Sequence, residues 1–233
     1  IVVPTGNFGN ILAAYYAMKM GLPVNKLICA SNENNVLTDF IRTGVYNKNR
    51  PFHTTSSPSM DILVSSNLER LLYDMTGGND ALVASWMKSL NDAGVYTVNA
   101  EVKAKMDELF YGGYCDEQGT KAAIKEMFET ENYLIDPHTA VGFSALSQYR
   151  AETGDETAAI VASTASPFKF CADVLDALGV SDRAQGLDVL DQLSQVTGEP
   201  VPAPLASLRS KEPRFRQTVE KEHMVDAVLG MLE

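Results

Sequence analysis

Tryptophan occurs once, and histidine and cysteine three times each, in this 233-residue sequence. Cys29, Cys115 and Cys171 make an odd number, and no two of them form a Cys-x-x-Cys pair. A disulfide framework and a thiolate zinc site are therefore both unsupported, and a reducing, cytoplasmic location is the expectation. His53, His138 and His223 are too scattered for metal-ligand spacing, so no metal is expected. Basic residues are also few: 19 Lys and Arg stand against 30 Asp and Glu, a formal net charge of −11. That balance disfavours nucleic acid and anionic membrane surfaces, both of which need neutralising cations. A small anion remains compatible, because a few backbone N–H groups can hold one locally. No apolar run approaches the roughly 18 residues that span a bilayer. No Gly-x-Ser-x-Gly elbow is present, so serine hydrolysis has no support.

What is present is an ordinary globular composition, 45% apolar and 21% charged, in a chain long enough to bury a sizeable core. Buried strands are expected at Ile1-Val2-Val3, Leu27-Ile28-Cys29-Ala30, Tyr133-Leu134-Ile135 and Ala158 to Ala162. They are continuous apolar runs, as strands covered on both faces should be. Helices are expected over 11–20, from Asn34 or Asn35 to Thr43, and from the capping-box pair Ser66 and Glu69 to Met75. Further helices start at Asp136-Pro137 and Ser166-Pro167, where proline opens the first turn. A last helix is expected over 215–232. Strands alternating with helices imply an α/β fold with a mainly parallel twisted sheet and flanking helices.

The large domain is expected over 1–180, with a largely helical insertion at about 79–131. Residues 181–233 are expected to be a C-terminal extension packing on the same domain. The sequence opens at Ile1 inside an apparent strand, without methionine, so a preceding segment of the same protein is expected to pack against this one.

The sharpest local feature is Pro4-Thr5-Gly6-Asn7-Phe8-Gly9-Asn10, between a buried strand and a helix N-terminus. Its two glycines allow positive φ and close approach of a ligand. Free N–H groups and the helix dipole favour an anion there, phosphate being the natural guest. No Lys follows Gly9 as a P-loop requires, and Gly-x-x-Gly falls short of the dinucleotide fingerprint. On spacing alone, a tight turn without ligand is an equal alternative.

The segment from Pro4 to Ala13 resembles the phosphate-binding loop of threonine synthases. In the same order, Met20-Gly21-Leu22-Pro23, Ala30-Ser31-Asn32-Glu33-Asn34-Asn35, Ser57-Pro58-Ser59-Met60-Asp61-Ile62, Asp136-Pro137-His138-Thr139-Ala140-Val141-Gly142 and Ser163-Thr164-Ala165-Ser166-Pro167-Phe168-Lys169-Phe170 also match that family. The resemblance covers 1–170 well and the remainder loosely. It implies a tryptophan-synthase-like, type II pyridoxal-phosphate fold, and an enzyme that converts O-phospho-L-homoserine and water to L-threonine and phosphate. The cofactor implied is pyridoxal 5′-phosphate, with its ring as electron sink.

The resemblance assigns the cofactor phosphate to Gly6, Asn7, Phe8, Gly9 and Asn10. It sets the Thr164 hydroxyl against the pyridine nitrogen, with Ser163 as second choice; a helix cap or core hydroxyl is the plainer alternative for both. The family's cofactor-bonding (Schiff-base) lysine lies upstream of the phosphate loop. None of the eleven lysines here occupies its motif. No catalytic residue is therefore assigned, and the isolated chain is expected to be inactive. Lys169 reads as a helix-surface lysine. His138 reads as a packed or capping residue that could approach the substrate, and Glu33, Asn34 and Asn35 as turn residues that could line the cleft. A related amino-acid lyase or phospholyase, and a non-catalytic module that binds phosphorylated metabolites, are the competing readings.

Overall fold

The computed structural model describes residues 1–232. The chain runs β1 (Val2–Pro4), α1 (Gly9–Lys19), β2 (Leu27–Ser31), α2 (Val36–Thr43) and β3 (Val45–Asn47). An irregular segment with one 3-10 turn at Pro58–Met60 leads to α3 (Leu68–Met75), α4 (Asp80–Ala93), β4 (Val95–Thr97), α5 (Ala100–Leu109) and β5 (Phe110–Tyr114). Then come α6 (Glu117–Glu131), α7 (Pro137–Thr153), a 3-10 turn at Pro167–Lys169, α8 (Cys171–Ala177) and α9 (Asp188–Thr197).

The main sheet has the order β1-β2-β5 and is parallel throughout, with Val2 opposite Ile28 and Leu27 opposite Phe110. Alternation along β1 and β2 divides the core in two. Val3, Leu27 and Cys29 point into a cluster with Ile11, Leu12, Leu37 and Phe40 from α1 and α2. Val2, Ile28 and Ala30 point the other way, onto Val141, Ala145 and Leu146 of α7. A strand buried on both faces reads as an unbroken apolar run, and each aliphatic side chain so buried contributes about 1.5–3 kcal/mol. The α/β class and the parallel sheet are as expected.

Several local expectations are corrected. The stretch 79–131 is not simply helical: α4, α5 and α6 are separated by β4 and by β5, which completes the main sheet. Gly112 and Gly113 suggested a break, but a Cβ on Gly112 would sit 3.0 Å from the Thr38 backbone, and one on Gly113 2.9 Å from the Ala145 Cβ. Glycine lets α2 and α7 close onto this strand. β3 and β4 form an unforeseen antiparallel pair, each too short to show alternation. Tyr133–Ile135 joins no ladder. Of Ala158–Ala162 only Val161 bridges, to Val2, flanked by the Val2 N–H to Ile160 O bond and the Ala162 N–H to Val2 O bond. The Ser66–Glu69 capping box does not form: α3 starts after Asn67, with no side-chain cap.

The first compact unit extends to Glu199, beyond the boundary expected at 180, because α9 buries Leu190 and Leu193. Pro200–Glu233 forms a second unit, containing α10 (Ala203–Ala206), 3-10 turns at Ser207–Ser210 and Lys221–His223, and α11 (Met224–Leu229). The long helix expected over 215–232 is thus reduced to α11 and the turn before it. Val225, Val228 and Leu229 are exposed, and short helices without a buried face are marginal.

Candidate functional site

β1 delivers the chain into a tight loop that is tied down before the helix begins. The Thr5 N–H donates to Ala30 O at 2.8 Å and its Oγ1 to Val3 O at 2.6 Å. The next two carbonyls are turned aside: Gly6 O accepts from Ser65 Oγ at 2.9 Å, and Asn7 O from the Asn67 N–H and Nδ2 at 3.2 and 2.8 Å. A trans peptide is planar, so the N–H groups of Asn7 and Phe8 face the opposite way. Among the described residues none accepts from the N–H groups of Gly6, Asn7, Phe8, Gly9, Asn10 or Ile11. At the far end of α1, Tyr15 Oη and Lys19 Nζ both donate to Asp74 at 2.5 Å, fixing the helix direction.

Positive φ was expected at Gly6 and Gly9, but it falls on Phe8, at 63°. That geometry costs a residue with a side chain about 1–2 kcal/mol. The Phe8 ring offsets the cost by lying buried in the core, 5.9 Å from the Phe110 ring. Gly6 is required for another reason: a Cβ there would meet Ser59 O at 2.4 Å. A Cβ on Gly9 would meet only Asn67 Nδ2, at 3.8 Å.

These free N–H groups open on a cavity of about 260 Å³. Its wall is the chain from Val3 to Ile11, completed by Ser59, Met60, His138, Thr164, Ala165 and Lys169. Among the described residues no carboxylate lines it, and Lys169 is its one lysine or arginine. In a chain of charge −11, a carboxylate-free pocket at a helix N-terminus is suited to an anion.

The second wall is held from behind. Asp136 caps α7, accepting from the His138 N–H and facing His138 Nδ1, both at 2.9 Å; it also accepts from Thr139 Oγ1. Burial pushes the Asp136 carboxyl up, but the bonds from His138 and Thr139 outweigh it and hold the group below the ordinary carboxylate value. His138 Nε2 accepts the Ser59 N–H at 3.3 Å. The Nδ1 position therefore carries the proton of the neutral ring. On the far side, Asp61 accepts from Asn32 Nδ2, Asn34 Nδ2, Thr55 N–H and Thr55 Oγ1 at 2.7 to 3.0 Å.

The structure brings Gly6, Asn7, Phe8, Gly9, Asn10 and Thr164 to one cavity. Ser163 stands beside it, its Oγ 3.3 Å from Thr139 Oγ1. Lys169 is exposed, as expected of a surface lysine, yet it lines the cavity. Glu33, Asn34 and Asn35 do not line it: Asn34 belongs to the Asp61 clasp, Asn35 Oδ1 accepts from Arg50, and Glu33 faces His53. Sequence reasoning gave Ser59 and Met60 no role. Their only signal was the Ser57–Ile62 block, whose purpose is visible only once the chain folds back over Gly6.

A family model described as "Threonine synthase, C-terminal" matches residues 139–229. Threonine synthase of Saccharomyces cerevisiae is 38% identical over 206 residues, which cover 82% of this chain and 40% of that protein. Human threonine synthase-like 1 is 40% identical over 183 residues, covering 78% of this chain and 24% of that one. The crystal structure of yeast threonine synthase superposes with a TM-score of 0.85 at 33% identity, over 99% of this chain and 47% of that one. That of pyridoxal-phosphate-bound threonine synthase from Brucella melitensis gives 0.77 at 35% identity, over 92% and 42%. The chain thus spans less than half the length of these relatives. By these matches in sequence and in fold, the chain belongs to the threonine synthase family.

Proposed function

We propose that this chain supplies the phosphate cradle for pyridoxal 5′-phosphate in an enzyme that converts O-phospho-L-homoserine and water to L-threonine and inorganic phosphate. The observation that carries the reading is the row of N–H groups from Gly6 to Ile11, free of protein acceptors and facing a carboxylate-free cavity. A phosphate monoester offers several acceptor oxygens to such a row, and the dipole of α1 favours its charge. The relative from Brucella melitensis, described as bound to pyridoxal phosphate, supports the choice of cofactor.

When bound, the cofactor supplies an electron sink for proton loss from the substrate's carbon chain. The residues of this chain bind and orient it. Gly6 to Asn10 hold the phosphate, and the Ser59 backbone closes over Gly6 where no side chain intervenes. Thr164 is assigned to the ring nitrogen; a neutral hydroxyl there leaves that nitrogen largely unprotonated, with Ser163 as second choice. The covalent lysine is assigned to the part of the protein outside this chain, and Lys169 is not its substitute. The chain alone is accordingly expected to be inactive, because covalent catalysis needs that amine.

The test is the yield of inorganic phosphate and of threonine from O-phospho-L-homoserine, with the full-length protein and added pyridoxal phosphate. Equal amounts support the reading. Phosphate without threonine favours a related phospholyase, a second reading kept because a relative named threonine synthase-like matches as well as the synthases do. Neither product overturns both.

A further inference from the structure

We propose that His138 is a positioning residue for the phosphate cradle, acting through the Ser59 backbone rather than on the ligand itself; the inference rests on the cradle reading above. Four groups form a continuous chain from α7 to the loop. Asp136 faces His138 Nδ1 at 2.9 Å, His138 Nε2 accepts the Ser59 N–H at 3.3 Å, and Ser59 O stands 2.4 Å from the place of a Gly6 Cβ. His138 is buried, its ring 4.9 Å from that of Phe170, and it lines the same cavity as the free N–H row.

The chemistry of each link is directional. Asp136, holding the Nδ1 proton, leaves Nε2 as an acceptor. An acceptor there fixes the Pro58–Ser59 peptide by its N–H, and the carbonyl of the same Ser59 bounds Gly6. Without it the Ser59 N–H has no protein acceptor, and the turn Pro58–Met60 is free to slide over the glycine. Gly6 would then lose the wall that keeps its N–H and those after it aimed at one point. An asparagine amide reaches the place of Nδ1 and a glutamine amide the place of Nε2, so the two substitutions separate support of Asp136 from support of Ser59.

The experiment measures binding of pyridoxal 5′-phosphate, and of pyridoxal without its phosphate, to the full-length protein by fluorescence titration, with thermal melts alongside. His138→Asn is expected to weaken pyridoxal phosphate binding about tenfold while leaving pyridoxal unchanged, the size of one hydrogen bond to the cradle. His138→Gln is expected to restore the affinity to within about threefold of wild type. Equal losses for both ligands, wild-type affinity in His138→Asn, or a His138→Gln as weak as His138→Asn each overturn the inference. If His138→Asn does not fold, His138→Gln decides: selective retention of the phosphate-bearing ligand supports the proposal and its loss overturns it. A wild-type protein that binds the two ligands equally instead removes the cradle reading itself.

Discussion

The two walls of the cavity are held by opposite means. The loop from Thr5 to Phe8 is anchored mainly through its backbone, with the carbonyls of Gly6 and Asn7 taken up by the segment at Ser65 and Asn67. The wall from Thr55 to Asp61 is held by four side chains that arrive from three other places: Asn32 and Asn34 after β2, Glu117 of α6 and His138 of α7. The first wall leaves its N–H groups free for a ligand; the second commits its polar groups to the protein. A site built this way separates binding from support, and substitutions should sort accordingly.

The largest effect is expected at the root of the side-chain wall. Asp136→Asn removes a buried, three-bonded carboxylate, and should cost about 3 kcal/mol of stability in chemical denaturation. Because the folded-state pKa is lowered, the Asp136 contribution is present above the ordinary carboxyl value of 3.8 and is lost as pH falls through the lower folded value. The gap between wild type and Asp136→Asn should therefore narrow in denaturation curves taken below that value; a gap constant with pH would show that the charge carries no stability.

Next comes the backbone wall. Gly6→Ala brings a Cβ against a backbone oxygen, and should cost about 2 kcal/mol and most of the cofactor affinity. Gly9→Ala has room, so it should melt within about 0.5 kcal/mol of wild type. Parallel melts and pyridoxal phosphate titrations check the pair, and similar melting temperatures would contradict the close approach of Ser59. Asp61→Ala leaves the donors of Asn32, Asn34 and Thr55 unmatched; about 1–2 kcal/mol of stability and a severalfold loss of cofactor affinity are expected, read by the same two measurements. The smallest effect is Lys169→Gln. An exposed cation with no ion pair among the described residues should leave stability unchanged and alter anion affinity by about threefold or less, an effect that fades with added salt.

The first wall was legible in the sequence because its chemistry is local: a buried strand, a Gly-rich loop and a helix start lie within ten residues. Even there the backbone detail was misassigned. Positive φ fell on Phe8, whose buried ring holds the strained backbone in place, and on neither glycine of the loop. The second wall was illegible as chemistry. Ser59 and His138 are bonded across 79 positions, and nothing in the spacing of either says so. Similarly, Gly112 and Gly113 looked like punctuation, because the helices that demand glycine on β5 are distant in sequence.

By itself the sequence determined the α/β class, the two-faced burial of β1 and β2, the position of the Gly-rich loop between β1 and α1, and the family. These follow from apolar runs, capping residues and short motifs, which act over a few neighbouring residues. Only the tertiary structure decided that β5 completes the sheet, that Ser59 closes over Gly6, and that the Ser59 N–H meets His138, whose Nδ1 faces Asp136. Those choices depend on which distant backbones come within van der Waals contact, a quantity set by packing as a whole and carried by no single stretch of chain.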